Sequence, residues 1–237
     1  MVTPIELPNL AQALGASRGE LVSLIGGGGK TTTLFALGQQ LQGTTVLTTT
    51  TKMGAEQQGD YQALVDPTDE QLLAELAVHN RALVWKQADG RRAVGVTPQT
   101  CDRWFSLANN VVVEADGSRK RPFKAPATHE PVVPSQTTLL VACIGASAFG
   151  QPIDMACHRP ELVAALAECD PCDLLTPERA RLVLTHPQGS MKDKPASARF
   201  VILLHRVTAA TQPVAEELAA QLDRHAPLVA VAERSND

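Results

Sequence analysis

"ELVSLIGGGGKTTTLFALGQQLQG", residues 20–43, is the stretch whose reading decides the fold. Glu20 to Ile25 reads as a short buried strand, mostly apolar and ended by a glycine run. Beyond Lys30, the leucines at 34, 37 and 41 fall at helical spacing, and Gly43 is a natural helix stop. Strand, glycine loop and helix in succession form the setting of a phosphate-binding loop. Gly26, Gly27, Gly28 and Gly29 carry no β-carbons, so their N–H groups can curl around an anion. The helix N-terminus behind them, with Thr31 and Thr32 in its first turn, adds free amides and a positive dipole end. Lys30 would reach the outer phosphates, and the Thr31 hydroxyl would complete a Mg²⁺ shell.

The usual pattern G-x-x-x-x-G-K-[ST] asks for a glycine where this chain has Leu24. Two readings accommodate the departure. A compact loop starting at Gly26 resembles that of Mur-type peptide ligases. A full-length loop with Leu24 built into the strand resembles that of partitioning-type ATPases, whose second lysine is here Ile25. A glycine turn that binds nothing is the competing structural reading, and the specificity of Gly-Lys-Thr-Thr at this junction argues against it.

Outward from the loop, strands alternate with helices. Strands are expected at 44–50, within 60–66, at 110–117, in "TTLLVACIGA", at 199–204 and at 228–232. Helices are expected at 68–80, from Pro98, at 160–168, 177–185 and 213–225. Asp89-Gly90 marks a hairpin, predicted over 81–97 as an insertion or antiparallel edge. The pattern implies an α/β fold: a doubly wound, mainly parallel sheet of the P-loop NTPase type in one domain, 1–237. With aromatics at only 3%, the core must be built from Leu, Val, Ala and Ile. A formal charge of −4 argues against a nucleic-acid partner, which normally requires a basic face. No apolar run reaches the ~18 residues of a membrane span. The N-terminus has neither the basic start nor the apolar core of a signal peptide, and five cysteines do not suggest a disulfide framework. A cytoplasmic location is the expectation.

Ligands of such sheets sit beyond the carboxyl ends of the strands. "VVVEADGS" delivers Glu114 and Asp116 there, like a Walker B element. Two residues apart, both can face one side of the strand. Hard oxygen ligands suit Mg²⁺. Asp116 is expected to hold it, with Glu114 as second ligand, orienter of Thr31 or base for an attacking water. Arg119, Lys120, Arg121 and Lys124 follow at once, and Lys52 closes a threonine run. These cations are candidates for contacting the nucleotide or an acidic ligand, against the alternative of a solvated charge run.

Several motifs occur in a fixed order: Gly-Gly-Gly-Gly-Lys-Thr-Thr, Thr-Thr-Thr-Lys-Met at 49–53, and Glu-Ala-Asp-Gly-Ser at 114–118. Pro-Phe-Lys-Ala-Pro at 122–126, His-Glu-Pro-Val-Val-Pro at 129–134 and His-Arg-Pro-Glu at 158–161 complete the series. Together they resemble the YqeC family, accessory proteins of selenium-dependent molybdenum hydroxylases, over residues 21–204. The resemblance implies a Mg²⁺-dependent P-loop NTPase assisting maturation or selenation of a molybdenum cofactor or of its hydroxylase. The competing classes are an ATP-dependent ligase or small-molecule kinase, and a nucleotide-sensing module without turnover. Where related proteins read guanine with an Asn-Lys-x-Asp-like element, this chain has His205-Arg206-Val207-Thr208. ATP is therefore preferred, with GTP left open.

Two weaker signals remain. Cys169-Asp-Pro-Cys172, with Cys157 and His158 upstream, has the makings of a soft-metal or thiol site, or of incidental loop cysteines. His129 lies in a proline-rich loop, where substrate binding, proton transfer and simple loop packing all remain open.

Overall fold

A computed structural model describes residues 2–222 and 226–233. In chain order it contains α1 (Leu10–Ala13), β1 (Leu21–Gly26), α2 (Lys30–Gln40), β2 (Thr45–Thr49), β3 (Lys52–Gly54), β4 (Leu64–Val65) and α3 (Asp69–His79). Next come β5 (Arg81–Trp85), β6 (Gln87–Ala88), β7 (Arg92–Val94), α4 (Pro98–Phe105), β8 (Asn110–Glu114), β9 (Phe123–Lys124) and β10 (Leu139–Gly145). The chain closes with α5 (Ile153–Ala156), β11 (Cys157–His158), α6 (Pro160–Leu166), α7 (Pro177–Thr185), β12 (Arg199–Val207), α8 (Gln212–Gln221) and β13 (Leu228–Ala232).

Eight strands form one sheet in the order β13-β12-β10-β1-β8-β2-β5-β4, and every neighbouring pair is parallel. Buried on both faces, its strands are apolar runs rather than alternating ones, as parallel sheets require. Their side chains still sort by parity. Val22, Leu24, Leu47, Leu83 and Val112 pack with Leu34 and Leu37 of α2, Leu10 of α1 and Leu14 just after it. The intervening Leu21, Ile25, Val46, Ala82, Val84, Val111 and Val113 meet the opposite layer, built on Leu72, Trp104, Val163, Val183 and Leu218. The fold is α/β with helices on both faces. The order reverses about β1, because β1 leads to β2 on one side of it and β8 leads to β10 on the other. Loops part at such a switch point, and a ligand crevice opens there.

Local chemistry accounts for the helix limits. Thr68 caps α3 in a reciprocal box with Gln71, and Asn80 ends it in left-handed backbone. Thr97 and Thr176 cap α4 and α7 from just before a proline, whose missing N–H would have no partner anyway. The helix expected over 213–225 starts one residue early, and its C-terminal end at 223–225 lies outside the described residues.

The hairpin is narrower than expected. Arg81–Trp85 is β5, a parallel strand of the main sheet, and only β6 and β7 flank Asp89-Gly90. The reason is burial: Ala82, Leu83, Val84 and Trp85 are all buried, which no exposed hairpin arm could satisfy. With β3, the hairpin makes a separate three-stranded antiparallel sheet. A second small sheet pairs β9 with β11 in parallel, setting Lys124 opposite His158. At the far edge, Ile5 bridges Val231: its N–H donates to Ala230 O, and the Ala232 N–H donates to Ile5 O.

One buried side chain ties the lower end of the sheet together. The Asn110 amide oxygen accepts from Glu20 N at 3.2 Å, and its nitrogen donates to Gln42 O at 2.9 Å and Thr45 Oγ1 at 3.2 Å. Asn110→Ala would orphan these buried groups. It should destabilise the fold by about 2–3 kcal/mol, read as a lower denaturant midpoint at unchanged slope.

Candidate functional site

The glycine loop leaves β1 and enters α2 with Gly26 at φ +96° and Gly29 at φ +97°, backbone that side chains disfavour. Space forbids side chains there too. A β-carbon on Gly26 would lie 2.4 Å from Cys143 O, one on Gly27 2.3 Å from Pro122 O, and one on Gly29 2.1 Å from the His205 ring. The four glycines do not all present amides to a ligand, as the sequence suggests. Gly27 N donates to Cys143 O at 2.7 Å, Gly28 N to Pro122 O at 3.2 Å, and Gly26 N to both Asp116 oxygens. The amides left without an intrahelical acceptor are those of Gly29, Lys30, Thr31 and Thr32, at the N-terminus of α2.

Behind the loop lies a buried ion-pair chain. Lys30, 3% exposed, donates to Gly26 O at 2.6 Å and stands 3.2 Å from Asp116 and 3.9 Å from Glu114. Asp116 also pairs with Lys124 at 3.0 Å. Lys124 donates to Glu130 Oε2 at 2.6 Å and to Gly117 O at 2.7 Å. Glu130 Oε2 receives Arg159 as well, at 2.7 Å. Burial opposes the Lys30 charge, yet Asp116 and Glu114 outweigh it and hold the ammonium pKa above its usual value. Burial likewise pushes Glu114 up, against the pull of Lys30 and the Thr31 hydrogen bond. At Glu130 burial is outweighed by Arg159 and Lys124, which draw the carboxyl down to about 2.

Above this layer opens a cavity of about 1200 Å³. Gly27 to Thr32, Lys52, Glu114, Arg119 and Lys120 line it, as the sequence places them. Thr31 Oγ1 donates to Glu114 Oε2 at 3.1 Å, on the cavity side of Lys30. Three expected residues stand elsewhere. Gly26 is turned to Asp116, and Asp116 and Lys124 are buried beneath the cavity at 2% and 3% exposure with their charges mutually engaged.

Other cavity residues escaped the sequence reading as site residues. His205 packs on Gly29, and its Nε2 lies 2.8 Å from Thr33 Oγ1. The Thr33 hydroxyl also lies 2.9 Å from Gly29 O; when it donates there, the imidazole Nε2–H is the donor to Thr33. Glu130 was visible only inside a motif, whereas Arg159, with His158 before an expected helix, reads from the sequence as a helix cap or an anion-binding pair. Lys192 had no sequence signal: its ammonium donates to the carbonyls of Ala127, Thr128 and Glu130, tying down the loop that carries His129 along the cavity. Thr208 bonds with Thr211 outside the cavity. Cys169 and Cys172 are free thiols; burial raises Cys169, and the buried Cys157 thiol is pushed up to about 12.

Two outcomes follow from these contacts. Lys124→Met should cost about 3–5 kcal/mol in chemical denaturation, since it takes the shared ammonium from two carboxylates of the buried chain. Burial and Arg206 push His205 from 6.5 down to about 4. The unfolded chain therefore binds the extra proton first. The stability this residue contributes is full above about pH 6.5 and lost as pH falls toward 4. His205→Gln, which keeps a donor for Thr33, should make the fall in melting temperature over that window shallower.

No solved structure matches this chain. Among curated proteins it is 30% identical over 224 residues to the uncharacterized protein YqeC of Escherichia coli (strain K12), covering 90% of this chain and 86% of that protein. The model of the YqeC protein family matches residues 22–161. That span runs from the glycine loop through both carboxylates to Arg159 and Pro160. The chain belongs to the YqeC family.

Proposed function

We propose that this protein binds a Mg²⁺-nucleoside triphosphate through Gly29, Lys30, Thr31 and Thr32 and turns it over by hydrolysis or phosphoryl transfer. The observation that carries this reading is the Thr31–Glu114 hydrogen bond set directly over buried Lys30 at the start of a helix. A β/γ-phosphate group would meet the four first-turn amides and the dipole end of α2, and Lys30 would swing from Gly26 O toward it. Thr31 and Glu114 offer hard oxygen atoms on the cavity side, which fits Mg²⁺. The metal, when bound, supplies charge neutralisation at the transferring phosphoryl group.

The roles of the two carboxylates differ from the expectation. Both Asp116 oxygens receive Gly26 N–H and the residue pairs with two ammonium groups, so we assign it to positioning the loop and both lysines. Glu114, lining the cavity, is the metal ligand or the base. Lys52 and Arg206 face the same cavity and neutralise phosphate charge. Thr208, at the position where related proteins read guanine, bonds with Thr211 and does not line the cavity, and ATP is the preferred nucleotide.

On the strength of the family resemblance, the nucleotide cycle serves maturation or selenation of a molybdenum cofactor or molybdenum hydroxylase. A nucleotide-sensing module is the competing class, and it would bind without phosphate release.

Lys30→Ala should abolish ATP binding in calorimetry, by about a hundredfold or more, while the circular dichroism spectrum is kept. Thr31→Ala, which disturbs the buried chain less, should remove the Mg²⁺ dependence of binding. Unchanged affinity in both variants would refute the cradle. Glu114→Gln should retain binding and lose phosphate release. Loss of hydroxylase activity on deleting the gene tests the cellular role separately.

A further inference from the structure

Among the described residues, eight other than glycine have positive φ, and four of them are Arg119, Lys120, Arg159 and Arg206. All four line the one cavity. Asparagine and aspartate tolerate this conformation through local hydrogen bonds; long basic chains have no such compensation. Strain of this kind persists only where the surroundings impose it, and it gathers at ligand sites.

The charges sort into two groups. The inner chain of Lys30, Lys124 and Arg159 is matched by Glu114, Asp116 and Glu130. Arg119, Lys120 and Arg206 make no ion pair among the described residues. The chain as a whole carries −4, so a surplus of basic residues does not explain cations gathered here.

Arg119 and Lys120 sit on the turn before β9, and Pro122 of that turn packs on Gly27 and Gly28. β9 pairs with β11, which brings His158 and then Arg159 to the same wall. Burial, with Arg159, Lys124 and Arg119, keeps the His158 imidazole neutral, down to about 4, so it adds a donor or acceptor without further charge. The cavity, about 1200 Å³, exceeds the ~300–1000 Å³ of single-ligand pockets. A nucleotide on α2 leaves the β9–β11 wall open to a neighbour.

The geometry points to a second subsite on this wall, where Arg119, Lys120, His158 and Arg159 receive the phosphoryl group of a small molecule bound beside the nucleotide. Its place beside a nucleotide rests on the reading of Gly29 to Thr32 given above.

The test uses the full chain loaded with Mg²⁺ and a non-hydrolysable ATP analogue, titrated with inorganic phosphate at constant ionic strength and followed by ³¹P NMR. Saturable phosphate binding with the analogue retained is expected. Arg119→Ala/Lys120→Ala should weaken it by about tenfold or more, with analogue affinity kept. Absence of saturable binding in the loaded protein overturns the subsite and leaves the nucleotide reading standing. An equal loss in Arg91→Ala/Arg92→Ala, which line the cavity from the β6–β7 hairpin, also overturns it, because a general basic field would then suffice. Should the analogue itself fail to bind, the nucleotide reading falls. Phosphate titration of nucleotide-free Lys30→Ala then decides the subsite by the same double substitution: retained, sensitive binding supports it and no binding overturns it.

Discussion

A carboxylate with almost no access to water needs partners on every side, and Asp116 has them. It takes the Gly26 amide at the end of β1, the Lys30 ammonium from α2 and the Lys124 ammonium from β9. Two stretches far apart in the chain, 26–30 and 116–124, are thereby pinned to one point. Breaking any of these contacts leaves a buried charge exposed to the low-dielectric interior, so none can relax alone. The glycine loop owes its shape as much to this anchor as to its missing side chains.

From the anchor the pairing runs outward through Glu130 to Arg159. Glu130 Oε2 is shared by Lys124 and Arg159, so a change in the hold on one cation changes the hold on the other. Lys30 beneath the glycine loop and Arg159 on the β9–β11 wall stand at the two ends of a continuous run of alternating charge. Such a run provides a physical connection between two ends of one cavity.

Much of this was legible in the chain. β1, α2 and the glycine loop between them announce themselves because glycine, lysine and threonine carry specific demands at a strand-to-helix junction. Helices starting at Pro98 and Pro177 were equally plain, because cap and proline chemistry is local. β5 was read as a hairpin arm because its apolar run adjoins Asp89-Gly90, and only the burial of Ala82 to Trp85 reveals an inner parallel strand. The ion-pair chain was not legible as a unit. Glu130 lies six residues from Lys124 and 29 from Arg159, and two-residue strands such as β9 and β11 have no periodicity to betray their pairing. Asp116 and Lys124 looked like ligand groups because sequence reports charge and proximity but not which side of a loop faces inward.

The Ile5–Val231 bridge has a consequence for how copies of this chain meet. An all-parallel sheet ends in two rows of unpaired backbone groups, each a template for another strand. Here one margin is β4, only two residues long, and the other is β13, along which the N-terminal segment lays down Ile5. Gln212 of α8 donates to Val2 O and clips the same segment in place. The first residues of the chain thus act as a selvedge: they bind off the sheet and guard against strand-by-strand aggregation.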